Sequence, residues 1–500
     1  MGMRAHTHTH SHPGRYSTRT MLNSLAPRAS LAPATLARAG AGARPGSGRP
    51  GVWGKRGGRA RGGLGDPIAA GGGWLGGLFG GGGAELALED SDPDFRAWLA
   101  HRGLPEKQKL VAQTCGDEGR GLVATAQIHK QEAMLRVPRD LLIDADVAVA
   151  ESSIGQELVA AGVPAWTILA AFLVEARYKE VTQGQAYSWA PYMRQLPSST
   201  GGILEWNTAE VESLLAGMSA LAAAREIRSA AAASWREAAP VVTAAEEAGT
   251  LQADVVTEAA MEWAFGILLS RLIRLPGLGN REALVPWADF LNHSSATSAH
   301  LDYDAGMQAV VLRPDHPCAA GEQLYVSYGE RSSTELLLSY GFVPNAGTNP
   351  YDSYIMQMAL DKKDPLFGRK AAVLAEYGLS PAENFPLRMV AVPAALVPYQ
   401  ALIMEQKISG EAELFQLAGH FFERPEREAT RVEAAYNVLL KRVKVCLAEL
   451  DRVPAPPASA DPTRAAQAAV LRKQEQRVLQ RCDFFLREQL RGLRRAVHGA

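Results

Sequence analysis

The chain has 500 residues, 47% hydrophobic and 21% charged, the balance of an ordinary globular protein with room for two or three domains. Its net charge of −1 is unevenly spread: residues 1–84 hold eleven Lys/Arg and one acid, Asp66, leaving an acidic body of net −11 that is poorly suited to nucleic-acid phosphates. The four cysteines, Cys115, Cys318, Cys446 and Cys482, form neither a CxxC pair nor a disulfide framework, which argues against structural zinc and suits a reducing compartment.

Residues 1–84 are rich in Ala, Gly, Arg, Ser, Thr and Pro and read as an organellar transit peptide, or otherwise as a basic tail. The alternating His6, His8, His10 and His12 read as low-complexity filler within it. No apolar run of about eighteen residues occurs without glycine, so no membrane span is expected. The folded part is expected from Glu85. Asp92 and Pro93 start a short amphipathic helix reaching Arg102. Runs 121–125 and 133–137 are strand-like, with a polar turn between them. From Ile154 to about Arg274 the pattern is helical: Trp166, Leu169, Leu173 and Arg177 share a face, as do Trp263, Ile267 and Arg271. Residues 284–328 return to strand, with a hairpin turn at Ala305-Gly306 and a further turn at 320–322 leading into a strand at 323–327. From about 355 the chain is helical to its end, broken by a Pro-rich loop at 453–462. The last helix, 463–495, carries a core-facing stripe of Leu471, Val478, Leu479, Phe485, Leu486 and Leu493. This order predicts an α+β fold in which a helical block is inserted into a β domain.

Four motifs carry chemistry. Asp117-Glu118-Gly119-Arg120-Gly121 is a turn whose glycines free backbone groups to bond a ligand; strand-like sequence follows where a dinucleotide fingerprint requires a helix. By itself it reads as a plain β-turn. Asp289, Asn292 and His293 lie in an apolar strand, where an unpaired polar group costs about 1–3 kcal/mol, so they need a fixed network or a ligand. A satisfied core histidine is the plain alternative, and the Asn-His-Ser sequon is discounted because nothing indicates secretion. In 321–329, alternation places Leu324, Val326 and Tyr328 on one face. In 333–343 a short helix ends at Gly341, with Tyr340 on the side of Leu336. Either tyrosine alone reads as packing.

In combination these motifs, with Trp189-Ala190-Pro191-Tyr192, Leu196-Pro197, the run 263–267 and Ser270-Arg271, resemble the SET-domain protein-lysine methyltransferases, specifically the Rubisco large-subunit methyltransferase-like plastid group. The likeness covers residues 90–350; residues 351–500 are similar, less specifically, to that family's helical substrate-binding domain. It implies a SET-type β core at 85–350 with a helical insertion at about 154–274, followed by an all-helical substrate-binding domain at 351–500. It implies S-adenosylmethionine (SAM) as co-substrate and no metal. By the same resemblance Glu118, Gly119 and Arg120 contact SAM through the turn, and Asn292 and His293 bind it from a knot-like core. Tyr328 matches the catalytic tyrosine beside the transferring methyl. Arg271, Asp289, Tyr303 and Tyr340 match positions lining the lysine site, Tyr303 subject to the alignment through 294–301. The expected partner is a soluble stromal protein with an exposed lysine, Rubisco large subunit or fructose-bisphosphate aldolase. The chain is expected to be a chloroplast-stromal monomer that binds neither nucleic acid nor membrane. Two other readings stay open: a catalytically weak SET-fold scaffold, which loss of Asn292, His293 or Tyr328 would have favoured, and a protein-histidine methyltransferase with a wider, more polar pocket around Arg271 and Tyr303. Ser332-Ser333 stands where the family usually has Ser-Asn, which is expected to alter a helix cap and not the chemistry.

Overall fold

The computed structural model describes residues 90–406, 408, 410–452 and 456–498; the expected leader at 1–84 lies outside them. The strands, in chain order, are β1 (Leu110–Thr114), β2 (Arg120–Ala124), β3 (Met134–Pro138), β4 (Ile143–Asp144), β5 (Ile273–Leu275), β6 (Arg281–Leu284), β7 (Asn292–His293), β8 (Leu301–Asp304), β9 (Ala309–Leu312), β10 (Gln323–Val326), β11 (Ser353–Ala359) and β12 (Ala382–Arg388). Three small sheets build the β core, ordered β1-β2-β10-β7, β3-β9-β8 and β4-β6-β5. In the first, β2 and β10 are antiparallel, while β10 and β7 are parallel over two residue pairs, Tyr325 with Asn292 and Val326 with His293.

The helices follow local chemistry. In α1 (Pro93–His101), Asp92 accepts from the Phe95 N–H at 2.9 Å and proline opens the first turn, as the sequence predicts. Between β4 and β5 lie α2 (Ala165–Gln183), α3 (Ala220–Glu247) and α4 (Glu258–Arg271), with shorter helices among them. Helix α2 is buried without interruption from Thr167 to Ala176, so it is an internal helix, not an amphipathic surface one. Trp166 and Phe265 stack 5.9 Å apart and lock α2 to α4. In α5 (Ser333–Tyr340), Ser332 caps Glu335 and Glu335 bonds back to Ser332, a complete capping box, so the Ser332-Ser333 departure leaves the cap intact. Gly341 ends the helix at φ 77°, where a Cβ would lie 2.2 Å from the Thr200 carbonyl. The last long helices are α6 (Ala429–Asp451) and α7 (Pro462–His498), packed on each other.

The α+β class and the inserted helical block are as expected. The region after 350 is mostly helical but not all-helical: β11 and β12 pair antiparallel from Ser353 with Arg388 to Ala359 with Ala382. Local periodicity hides this pair because another helix, Phe367–Glu376, separates its strands. The helix predicted to run to Arg274 ends at Arg271, because 273–275 pairs with β6, a partner that local pattern does not show.

Helix α7 also grips the insertion. The Glu475 carboxylate accepts from the Ser219 N–H at 2.9 Å, the Ser219 hydroxyl at 2.7 Å and the Ala220 N–H at 3.3 Å, capping α3 from about 255 residues away. Arg472 donates to the carbonyls of Leu214 and Ala216 at 2.9 and 2.8 Å. The backbones come so close at Gly217 that a Cβ there would lie 2.9 Å from the Glu449 carbonyl. Burial pushes the Glu475 carboxyl up to about 7, against its ordinary 4.5. The folded state therefore holds this proton more tightly than the unfolded chain. Its contribution is complete below about pH 4.5 and declines, by roughly 2–3 kcal/mol, as pH rises through 7. Glu475→Gln keeps an acceptor on α3, so its melting temperature should match wild type at pH 5 and exceed it at pH 8. An identical pH dependence in the two proteins would assign the titration elsewhere.

Candidate functional site

The β7–β10 pairing assembles the site. It sets Asn292 beside the Glu118–Arg120 turn, because β10 is also the antiparallel partner of β2. Gly119 adopts φ 74° at the end of the tight 3-10 turn Gly116–Glu118, and its α-carbon faces open space, so the backbone there is accessible to a ligand. Asn292 donates through Nδ2 to Gln323 Oε1 at 2.7 Å and to the Arg120 carbonyl at 3.3 Å. Arg120 meets this cluster only through its backbone. Its guanidinium turns away to Gln195, at 2.6 and 2.8 Å, and lies 3.5 Å over the Phe290 ring.

His293 Nδ1 lies 3.1 Å from the Tyr328 N–H and 3.2 Å from the Val326 carbonyl. Burial holds its pKa below the ordinary value, so the ring is neutral and Nδ1 can satisfy only one of these partners. Its Nε2 is buried and has no partner among the described residues. The ring stacks on Tyr328 at 5.0 Å, Tyr328 stacks on Tyr340 at 4.7 Å, and Phe342 closes the stack edge-on to Tyr340 at 6.4 Å. The Tyr328 hydroxyl donates to the Leu291 carbonyl at 2.7 Å. Burial, then the neighbouring Tyr340, raise the Tyr328 pKa well above that of a free phenol. Tyr328 therefore stays neutral; with its proton committed to Leu291, its oxygen lone pairs can accept.

Behind the stack is a buried ion pair. Arg271 Nη1 donates to Asp289 Oδ2 at 3.2 Å and to the Asp289 carbonyl at 2.9 Å; the Asp289 side chain is 1% exposed and that of Arg271 20%. The Tyr192 hydroxyl donates to the same Asp289 oxygen at 2.9 Å. Burial and the adjacent Asp289 keep Tyr192 protonated. Arg271 and Asp289 also act electrostatically on Tyr328, so the two groups form one site.

The structure thus brings together nine of the ten residues singled out from the sequence. Tyr303 stands apart: it lies on β8 in the β3-β9-β8 sheet, with its hydroxyl 3.2 Å from Gln308 Oε1 in its own hairpin. Among the described residues no hydrogen bond, ion pair or ring contact joins it to the cluster. Tyr192, Gln195, Gln323 and Phe342 take part without having been assigned roles. Tyr192 had a signal, its place in the Trp-Ala-Pro-Tyr run, but its partner is 97 residues away. Among the described residues no group of three or more His, Cys, Asp or Glu could hold a metal ion, and no helix is long and apolar enough to cross a membrane.

Comparison with known proteins agrees with this geometry. A SET-domain family model matches residues 119–329. The chain is 28% identical over 337 residues to the tobacco chloroplastic Rubisco large-subunit N-methyltransferase, covering 64% of this chain and 66% of that one. It is 28% identical over 329 residues to the Arabidopsis chloroplastic fructose-bisphosphate aldolase-lysine N-methyltransferase, covering 63% and 65%. It is 26% identical over 418 residues to the actin-histidine N-methyltransferase of Xenopus tropicalis, covering 79% and 69%. The solved SET domain of LSMT bound to lysine and AdoHcy superposes with a TM-score of 0.66 at 25% identity, over 80% of this chain and 92% of that one. Residues 119–329 thus match the SET-domain family, and the chain is similar to the chloroplastic methyltransferases over about two thirds of its own length and 65–66% of theirs.

Asp289→Ala strands the Arg271 charge and should lower stability by about 2–4 kcal/mol, less than for a fully enclosed pair because Arg271 is partly solvated. Tyr192→Phe, which removes one hydrogen bond, should cost about 1–2 kcal/mol. Urea unfolding would measure both, and equal effects would remove the ion pair as the anchor of this region.

Proposed function

We propose that this chain is a SAM-dependent protein-lysine N-methyltransferase acting on a soluble protein of the chloroplast stroma. The observation that carries the reading is the neutral Tyr328 hydroxyl, held by Leu291 in an aromatic stack directly beside the Asn292-His293 strand and the Gly119 turn. The residues present fit SAM: the turn offers open backbone, and the buried His293 Nε2 lacks a protein partner. Gly119, Glu118 and the Arg120 backbone would hold it on one side, with Asn292 and His293 on the other. Once bound, SAM supplies an electron-poor methyl on a sulfonium leaving group.

The chain's residues supply the rest. A lysine ammonium with an ordinary pKa near 10.4 cannot attack, and entry into the desolvated space beside Tyr328, Tyr340 and Phe342 favours its neutral form. The Tyr328 oxygen can accept a C–H of the methyl or an N–H of the amine, and its fixed position means no reorganisation during transfer. Holding the amine in line with the methyl contributes further. Arg271 and Asp289 compensate each other behind the stack, so they leave the aromatic surface without a free counter-charge for an incoming ammonium. Tyr340 belongs to the acceptor side of this assignment; Tyr303 would join it only through a rearrangement of the β8–β9 hairpin.

The organisation that goes with this function is a SET domain at 85–350 with its insertion at about 154–274, a substrate-binding region at 351–500 and a transit peptide at 1–84. Chloroplast location is supported by the names of the tobacco and Arabidopsis relatives. Those names also suggest Rubisco large subunit or fructose-bisphosphate aldolase as the acceptor. A second reading, histidine as acceptor, draws on the match to the actin-histidine enzyme, which covers more of this chain.

The test is incubation of the chain with methyl-labelled SAM and stromal extract, beside Tyr328→Phe. The intact chain should label a protein band, and the variant should do so about 10- to 1,000-fold more slowly with SAM affinity retained. Mass spectrometry of the modified peptide separates lysine from histidine. SAM binding without any labelling would favour a scaffold.

A further inference from the structure

Gln323 does not belong to any of the roles above, yet every polar atom of its side chain is engaged. Its Oε1 accepts from Asn292 Nδ2 at 2.7 Å. Its Nε2 donates to Glu118 Oε2 and to the Tyr325 hydroxyl, each at 2.7 Å. The Tyr325 hydroxyl in turn donates to the same Glu118 oxygen at 2.9 Å. One amide thereby ties the turn at Glu118 to the strand at Asn292, the two halves of the proposed SAM site.

The directions of these bonds are forced. The Glu118 oxygen accepts from both Gln323 Nε2 and the Tyr325 hydroxyl, so Gln323 presents its NH2 to Glu118 and its carbonyl oxygen to Asn292. Asn292 must answer with its own NH2, whose second hydrogen goes to the Arg120 carbonyl. Both amide hydrogens of Asn292 are then used within the protein, and its Oδ1 is left as an acceptor. The backbone makes room for this arrangement. Gly121 faces Gln323 across β2 and β10, and a Cβ there would lie 2.1 Å from Gln323 Oε1 and 2.9 Å from Cys115 Sγ. Any larger residue at 121 displaces the amide.

We infer that Gln323 is a positioning residue: it fixes the amide orientation of Asn292 and the stance of Glu118, so that the site presents a carbonyl acceptor to a hydrogen-bond donor on SAM. Gly121 is glycine because this amide occupies the space above it. The inference rests on the SAM-binding reading above.

The test measures SAM binding to the full chain by calorimetry, together with separate KM values for SAM and for the protein acceptor. Gln323→Glu puts an acceptor where donors are needed and a second carboxylate against Glu118. Its SAM dissociation constant should rise about tenfold or more at pH 8 and recover on lowering the pH to 6, where the carboxylate pair can share a proton. The other titratable groups facing this position stay neutral across that range. Burial and Glu118 raise the Cys115 thiol, and burial with the Glu118 bond pushes the Tyr325 hydroxyl up to about 12. The KM for the protein acceptor should not move. Gly121→Ala should weaken SAM binding when Gln323 is present and add little on top of Gln323→Ala, a non-additivity that general misfolding does not produce. If the wild-type chain binds SAM and neither Gln323→Glu nor Gly121→Ala changes that affinity, Gln323 has no positioning role, while the methyltransferase reading stands. A wild-type chain that fails to bind SAM removes both.

Discussion

Two residue pairs of parallel strand, Tyr325 with Asn292 and Val326 with His293, are the constraint on which the site depends. A parallel pair this short has few hydrogen bonds of its own and survives only because both strands are anchored elsewhere. Strand β10 is held on its other edge by β2, and the chain after β7 is tied back by the Ser294 N–H bond to the Val326 carbonyl. Moving β7 by one residue would exchange the faces of Asn292 and His293 and break both the Gln323 contact and the Tyr328 contact. Register here is chemistry: it decides which polar side chain meets the turn and which meets the aromatic stack.

Around that pairing, low dielectric sets protonation states. Tyr328 and Tyr192 stay protonated and His293 stays neutral because burial penalises their charged forms. Charge is retained in one buried place, Arg271 with Asp289, where two hydrogen bonds and the Tyr192 hydroxyl offset the desolvation. A neutral aromatic surface backed by a paired, net-neutral Arg271–Asp289 couple is an environment that disfavours an unpaired ammonium. Under the proposed function, exclusion of water from the amine would ready the nucleophile.

The C-terminal helix ties the inserted helices and the segment after α5 together. Helix α7 reaches α3 through Glu475 and Arg472, and it reaches the segment after α5 through Gln467, which donates to the Gly341 carbonyl at 2.8 Å. The residue that ends the Tyr340 helix is therefore clamped between Thr200 on one side and α7 on the other. The C-terminal region thus touches the segment that follows Tyr340.

Much of this was legible in sequence because it is local. The Asp92 cap, the capping box at Ser332, the Gly341 stop, the turn at Gly119 and the alternation that turns Tyr328 inward each follow from a few adjacent residues and the periods of helix and strand. The family likeness singled out Asn292, His293, Arg271 and Asp289, which the structure places in one cluster. What the sequence left open is what depends on distant partners. Strand β5 forms only against β6, and β11 only against β12. Tyr192 finds Asp289 across 97 residues, and Gln323 meets Glu118 across 205. Tyr303, aligned to the acceptor site, bonds instead within its own hairpin, because the β8–β9 pairing holds it opposite Val310 and within reach of Gln308. The sequence by itself determined the elements, their order and the chemical types the site would use. The tertiary structure alone decided which of those groups meet, since hydrogen-bond direction, burial and charge pairing arise only when the chain has brought remote segments within 3 Å of one another.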